Sequence, residues 1–262
     1  MRRGLRIARV LLSTQYALML EYRAEIALWS LSGVVPLLML GLWSQSEAGQ
    51  ALGLGATGLS RYFLAAFVVR QFTVVWVIHA FEEDALQGRL SPLLLQPLQP
   101  LWRYVAAHLA EQLTRLPFLA AIVAVVMLVH PQAAWWPSPG ALLLTALFTW
   151  LGFAVNFLLQ TSITMLCFWS ERASALDRLL FFPYLALSGL LAPLEAFPPG
   201  VRSLALATPF AYQVAIPARL LAGEPVAIGP ALAVLGAWLA LLLPLCLILW
   251  RAGVRRYGAM GA

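Results

Sequence analysis

The sequence predicts an all-α polytopic membrane protein: six transmembrane helices, an N-terminal amphipathic surface helix, and a re-entrant outer helical hairpin between the fifth and sixth spans. Two observations carry that fold class. Of 262 residues, 62% are hydrophobic and 11% charged, against about a quarter charged in a soluble domain, so the bilayer is the main solvent. Apolar runs of roughly 18 to 25 residues recur, and at 1.5 Å per residue such a run crosses a hydrocarbon core of about 30 Å as a helix.

Residues 2–22 space Arg2, Arg6, Arg9 and Ser13 by four, three and four, with Leu5, Ile7, Val10, Leu11 and Leu18 on other faces. That is an amphipathic helix pattern. Glu21, Arg23 and Glu25 stand where a signal peptide would need small residues for cleavage. The helix is therefore expected to be retained along the cytoplasmic surface, its arginines near anionic head groups. The first span is expected over 26–43, interrupted by Gly33 and Pro36, and a polar outer loop over 44–60. Gly53, Gly55 and Gly58 in that loop match the dinucleotide spacing, but they follow no buried strand and lie in no βαβ unit, so no nucleotide site is expected.

The second span, 62–79, leads to Glu82, Glu83 and Asp84 and then to Gly88-Arg-Leu-Ser-Pro-Leu-Leu-Leu-Gln-Pro97. Ser91 and Pro92 form a favourable N-cap and first-turn pair. Leu93, Leu94 and Leu95 are thus expected to start a short helix that stops near Pro97 and needs a protein partner for its exposed leucines. The third span is expected over 104–129, an uncharged loop around Pro131 to Pro139 follows, and the fourth span covers 141–168. Glu171, Arg172, Asp177 and Arg178 mark a brief polar stretch before the fifth run, 179–194. That run has 16 residues and contains Pro183, which makes it short for a crossing and suggests a broken or tilted helix. Residues 195–227 carry Pro198, Pro199, Pro209, Pro217 and Pro225 between apolar stretches too short to span, a pattern suited to helices that dip in and return. The last span, 228–250, runs into Arg251, Arg255 and Arg256.

With the N-terminus inside, the cytoplasmic segments collect twelve arginines and the outer ones three, Arg61, Arg202 and Arg219. The positive-inside rule then puts both termini in the cytoplasm. All 17 basic residues are arginine, so a standard P-loop, which needs a lysine on the β and γ phosphates, is ruled out and no ATPase activity is expected of the chain itself. Cys167 and Cys246 lie in separate apolar segments and read as packing residues, not as metal or disulfide partners.

Ionisable groups inside spans are functional suspects. Arg70, beside Gln71, lies in the second span; His108, Glu111 and Arg115 form one stripe on the third, with Glu111 able to pair with Arg115 at i, i+4 or with Arg70 across helices. Thr145, Thr149, Gly152, Asn156 and Gln160 form a stripe on the fourth. Two readings fit these stripes, a lining for a translocation path and a polar contact that packs helices together. Glu195 is the carboxylate of the outer turn, as a gate residue or as a helix cap.

This order of elements resembles the membrane subunit of type-two ABC exporters. At residue level the likeness rests on Gly88–Pro97 and on Ser188-Gly-Leu-Leu-Ala-Pro-Leu-Glu-Ala-Phe-Pro198. The first is similar to a bacterial branch whose permeases are often encoded in pairs beside an ATPase. The resemblance implies that residues 82–97 include a coupling helix seated in a separate ATPase subunit. Leu93, Leu94 and Leu95 would fill an apolar pocket there, and Glu82, Glu83 and Asp84 would meet its arginines. It also makes residues 2–22 the connecting helix and Pro193, Glu195 and Pro198 an outer gate. The chain would be half of a pore in the bacterial inner membrane, with no cofactor of its own. Two ATPase copies would carry ATP and Mg²⁺, and a second permease, identical or related, would complete the path. A proton-coupled secondary transporter using Glu111 and His108 is the alternative function. An intramembrane enzyme is disfavoured by the absence of H-E-x-x-H and G-x-S-x-G motifs, and nucleic-acid binding by arginines that sit where membrane topology wants them.

Overall fold

The computed structural model describes residues 2–43, 54–170 and 173–259, and among these residues every regular element is a helix. In chain order these are α1 (Arg2–Glu21), α2 (Arg23–Ser32), α3 (Val35–Trp43), α4 (Gly55–Thr73), α5 (Val77–Leu86) and α6 (Leu90–Leu94). They continue with α7 (Leu101–Val129), α8 (Pro139–Thr164), α9 (Ser174–Leu187), α10 (Pro199–Ala207), α11 (Ala215–Ala222) and α12 (Ile228–Ala259). Gly53, Glu171, Arg172 and most of the loop 44–60 lie outside the described residues.

Among the described residues five stretches are long and apolar enough to cross a bilayer: Arg23–Trp43, Gly55–Leu86, Leu101–Val129, Pro139–Phe168 and Ile228–Tyr257. A sixth arises if Pro199–Ala207 and Phe210–Ala222, bent by 76°, count as one broken span. The run 179–194 is as short as its length and Pro183 suggest, but its helix is displaced toward the N-terminus. Its helix, α9, has 14 residues, about 21 Å of rise, short of a core about 30 Å thick. It starts early, at Ser174, where Glu82 of α5 accepts from the Ser174 amide at 2.7 Å and hydroxyl at 3.0 Å. It stops at Leu187, just before Gly189, whose φ of +85° no helix contains.

Two crossings are broken, the first where Gly33 and Pro36 interrupt its sequence and the second where the sequence reads as continuous. The first interrupts at Gly33 and Val34, so that Pro36 falls in the first turn of α3, where its missing N–H costs nothing. The second interrupts at Val74–Trp76, where Val74 is extended. It also reaches further than 62–79: Glu82, Glu83 and Asp84 belong to α5, not to a loop after it. Ser91 is likewise not the cap of α6, because the helix begins at Leu90 with Arg89 before it.

α4 is the centre of the bundle, with Leu59, Tyr62, Phe63, Leu64, Ala65, Ala66, Phe67 and Val69 all buried, as expected of a helix apolar all round. Small residues set the closest approaches. A Cβ at Gly152 of α8 would stand 2.5 Å from the Tyr212 carbonyl oxygen, so glycine lets the turn before α11 sit against α8. α12 instead exposes Leu241, Leu243, Leu247 and Ile248. In a chain dissolved in lipid, such a face needs no protein cover.

Candidate functional site

The break in the second span carries the densest polar structure in the bundle. Ending α4 at Thr73 orphans the carbonyls of its last four residues, each roughly 2–7 kcal/mol out of balance if left bare in hydrocarbon. All four find donors. The Arg70 carbonyl accepts from the Val74 amide at 3.2 Å, Gln71 from Arg115 Nη1 at 3.0 Å, Phe72 from Gln112 Nε2 at 2.8 Å, and Thr73 from Asn156 Nδ2 at 2.7 Å. Below the break the Trp76 amide donates to His108 Nε2 at 3.0 Å. His108 Nδ1 lies 2.7 Å from the Tyr104 carbonyl, so Nδ1 carries the proton and the imidazole is neutral.

Glu111 binds both Arg115 and the Trp76 indole N–H. The i, i+4 pair therefore forms, whereas no ion pair joins Glu111 to Arg70 among the described residues. The stripe His108–Glu111–Arg115, with Gln112 beside it, is thus drawn together around a piece of bare backbone. Gln112 escaped notice in the sequence because nothing there marks Val74–Trp76 as a break. Gln71 reaches the other way, donating to the Ser30 carbonyl at 3.1 Å, and so ties this break to the one at Gly33. Gly33 has no room for a side chain: a Cβ would lie 2.8 Å from both Arg70 Nη1 and Gln71 Nε2.

Of the fourth-span stripe, Thr145, Thr149 and Asn156 are buried. Gln160 donates to Asp177 of α9 at 2.8 Å, and His79 lies 4.0 Å from the same carboxylate. Arg70, Asn156 and Gln160 line a small cavity of about 140 Å³ between α4, α8, α9 and the turn at Phe210–Gln213.

At the α6 end, Leu90 is fully buried and Ser91 shares a 3.1 Å hydrogen bond with Tyr257 of α12. Leu94 packs on the same aromatic core, and Leu95 is 89% exposed. The three leucines are therefore not equivalent. The acidic triplet is engaged within the chain: Glu82 holds α9, and Arg89 binds Glu83 at 2.9 Å and Asp84 at 2.8 Å. Tyr104 also donates to Asp84 at 2.7 Å. These bonds from Glu83 and then Asp84 hold the Arg89 pKa above its ordinary value.

At the opposite end, Glu195 caps no helix. It sits in a 3-10 turn, Leu194–Ala196, between Pro193 and Pro198, and binds Arg219 of α11 at 2.6 Å and Arg202 of α10 at 3.3 Å. Arg219 also binds Glu224 at 3.0 Å. Burial, opposed by Arg219, holds the Glu224 carboxyl above the usual range. Aromatic donors close the broken helix ends here, Tyr62 onto the Gly189 carbonyl at 2.9 Å, Trp43 onto Leu191 at 3.1 Å, Trp135 onto Leu221 at 2.9 Å and Trp238 onto Ala207 at 3.0 Å. Among the described residues no three His, Cys, Asp or Glu side chains converge on a metal position.

Residues 28–261 match a family described as ABC-2 family transporter protein. No curated protein matches the chain.

Proposed function

The chain belongs to the ABC-2 family of transporter proteins and is a multi-pass permease subunit of an ABC transporter; from that premise we propose that it works as half of an ATP-driven exporter of the bacterial cytoplasmic membrane. In this reading both termini and α6 are cytoplasmic. Two copies of a separate ATPase subunit hold ATP and Mg²⁺, and a second permease, identical or related, supplies the other half of the path. The residues around the second-span break, Arg70, His108, Glu111, Arg115, Asn156 and Gln160, border the path, and Pro193, Glu195 and Pro198 with Arg219 form the outer gate.

The observation that carries the coupling role is the contrast along α6. Its root is held by Leu90 and by the Ser91–Tyr257 bond, while Leu95 projects with 89% of its surface free. A large apolar side chain left free on a firmly rooted one-turn helix supports a protein contact. Glu82, Glu83 and Asp84 serve that contact by holding α5, α9 and Arg89 in place, with Glu83, more than half exposed, nearest to a partner. The proton-coupled alternative gains no support from His108, whose two nitrogens are both bound to backbone groups.

Affinity purification of the tagged chain from its native membrane in mild detergent tests the assembly. An ATP-binding subunit in stoichiometric amount is expected, and purification of the intact chain alone in several detergents overturns the reading. Leu95→Asp is expected to leave insertion and monodispersity unchanged while the ATPase subunit is lost. Retention of that subunit and full transport by L95D would remove α6 from the coupling role.

A further inference from the structure

Arg70 stands apart from the other ionisable groups around the break. No carboxylate lies within ion-pairing distance of it among the described residues, and its buried Nε has no hydrogen-bond partner. Its electrostatic neighbours are the Tyr184 hydroxyl and the cation Arg115. The carboxylates nearby are already engaged: Glu111 by Arg115, Asp177 by Gln160, and the exposed Glu25 by the Trp29 indole at 3.2 Å. A cation in a span without a counter-charge is costly and marks a functional position.

Arg70 and Val74 border two cavities at once. The smaller one, about 140 Å³, is of mixed polarity: Asp177, held by Gln160, shares its lining with Arg70, and Gln213, with no exposed surface, lines it with both amide atoms unpartnered. The buried Gln160 Oε1 is unpartnered at the same cavity. The larger, about 580 Å³, has a mostly apolar wall from Met19, Tyr22, Ile26, Trp29 and Trp76, with Glu25 and the paired Glu111 and Arg115 on its border. It falls within the range of small-molecule sites, about 300–1,000 Å³, whereas the smaller one suits a single head group.

We propose that Arg70 is the anchor of a site for an amphipathic anion, with a phosphate or carboxylate head in the small cavity and an apolar body in the large one. Arg70 supplies the charge. Gln213 and Tyr184 supply hydrogen bonds that a carboxylate or phosphate oxygen accepts. The aromatic wall of α1, α2 and Trp76 takes up the chain. This site names the cargo class of the permease and rests on that reading.

The test uses the purified full chain in a non-ionic maltoside detergent, with tryptophan fluorescence as the readout and dodecyl phosphate as the probe. Saturable binding of dodecyl phosphate is expected, and Arg70→Gln is expected to weaken it about tenfold or more, as loss of a charged hydrogen bond requires. Gln213→Leu is expected to weaken it less. Should R70Q not fold, the head-group comparison on the unaltered chain still decides. Equal binding of dodecyl phosphocholine overturns the requirement for net negative charge, and inorganic phosphate binding as tightly as dodecyl phosphate overturns the amphipath in favour of a soluble anion. Failure here while the ATPase subunit still co-purifies discards the cargo class and keeps the exporter reading; binding with no ATPase subunit recovered keeps the anion site and discards the ATP-driven reading.

Discussion

Asn156 donates to Thr73 from a neighbouring span, and removing that donor leaves a carbonyl bare where water is scarce. Asn156→Leu, close in volume, is expected to lower stability by about 1–3 kcal/mol, read as a fall in melting temperature in detergent. Thr145→Val is the control: its buried hydroxyl has no partner, so its removal is expected to be neutral or mildly stabilising. Some of this site is legible residue by residue. The i, i+4 spacing of Glu111 and Arg115 announces their pair, and the depth of His108 and Asn156 announces a polar demand. What they satisfy is not legible, because the demand arises from the Thr73 carbonyl and the Trp76 amide on either side of a break that no proline or glycine marks. Arg70 is conspicuous in the sequence as a charge in a span, but its lack of a carboxylate partner is a fact of three dimensions.

At the scale of elements, hydropathy reads length well and continuity badly. It finds the apolar runs from Ile26, Tyr62, Tyr104, Ala141 and Ile228, yet both breaks pass unseen or are under-read, since apolar side chains serve equally on a straight helix and on two halves of one. The fifth run is displaced because its start depends on Glu82, far away in sequence. The outer segment fares better: its prolines predict short helices, and α10 and α11 are short and sharply bent. Their junction rests on Arg219 between Glu195 and Glu224. Arg219→Gln strands the largely buried Glu224 and leaves Glu195 with Arg202 alone, and is expected to cost up to about 3–5 kcal/mol at neutral pH. The pH dependence has a definite sign. A carboxyl whose folded pKa is raised, as burial raises that of Glu224, contributes stability below its ordinary pKa and loses it as pH rises through the raised value. The gap in melting temperature between R219Q and the parent is therefore expected to narrow from pH 7 to pH 5. A gap that widens on acidification would show that neither carboxyl takes up the proton.

For the whole molecule, composition settles the solvent and the length of the apolar runs settles the fold class, because in lipid the backbone is satisfied only in helices or closed barrels and runs of about 20 residues have the length of helices. The stoichiometry of the assembly is not written in one chain. If the exporter reading holds, native mass measurement of the purified complex is expected to give two permeases and two ATPase subunits; a single permease with its ATPase would remove the half-pore from the proposal. The apolar exterior of α12 and of the C-terminal part of α7 suits lipid contact, so a second permease is expected against α2 and α9, which expose Leu28, Trp29, Leu179 and Phe182.

The link made by Gln71 has a mechanical consequence. It sits at the level where the first and second crossings are both interrupted, pinning one joint to the other through a single amide. The carbonyls freed at Gln71, Phe72 and Thr73 are held there by side chains of other helices, not by a continuous ladder of main-chain bonds. In the exporter reading, such a double knee with one pin is expected to let the limbs on the α6 side of two adjacent crossings swing together, so that a push on the short helix beyond α5 arrives in the middle of the bilayer as a change of angle and not as a sliding of whole rods.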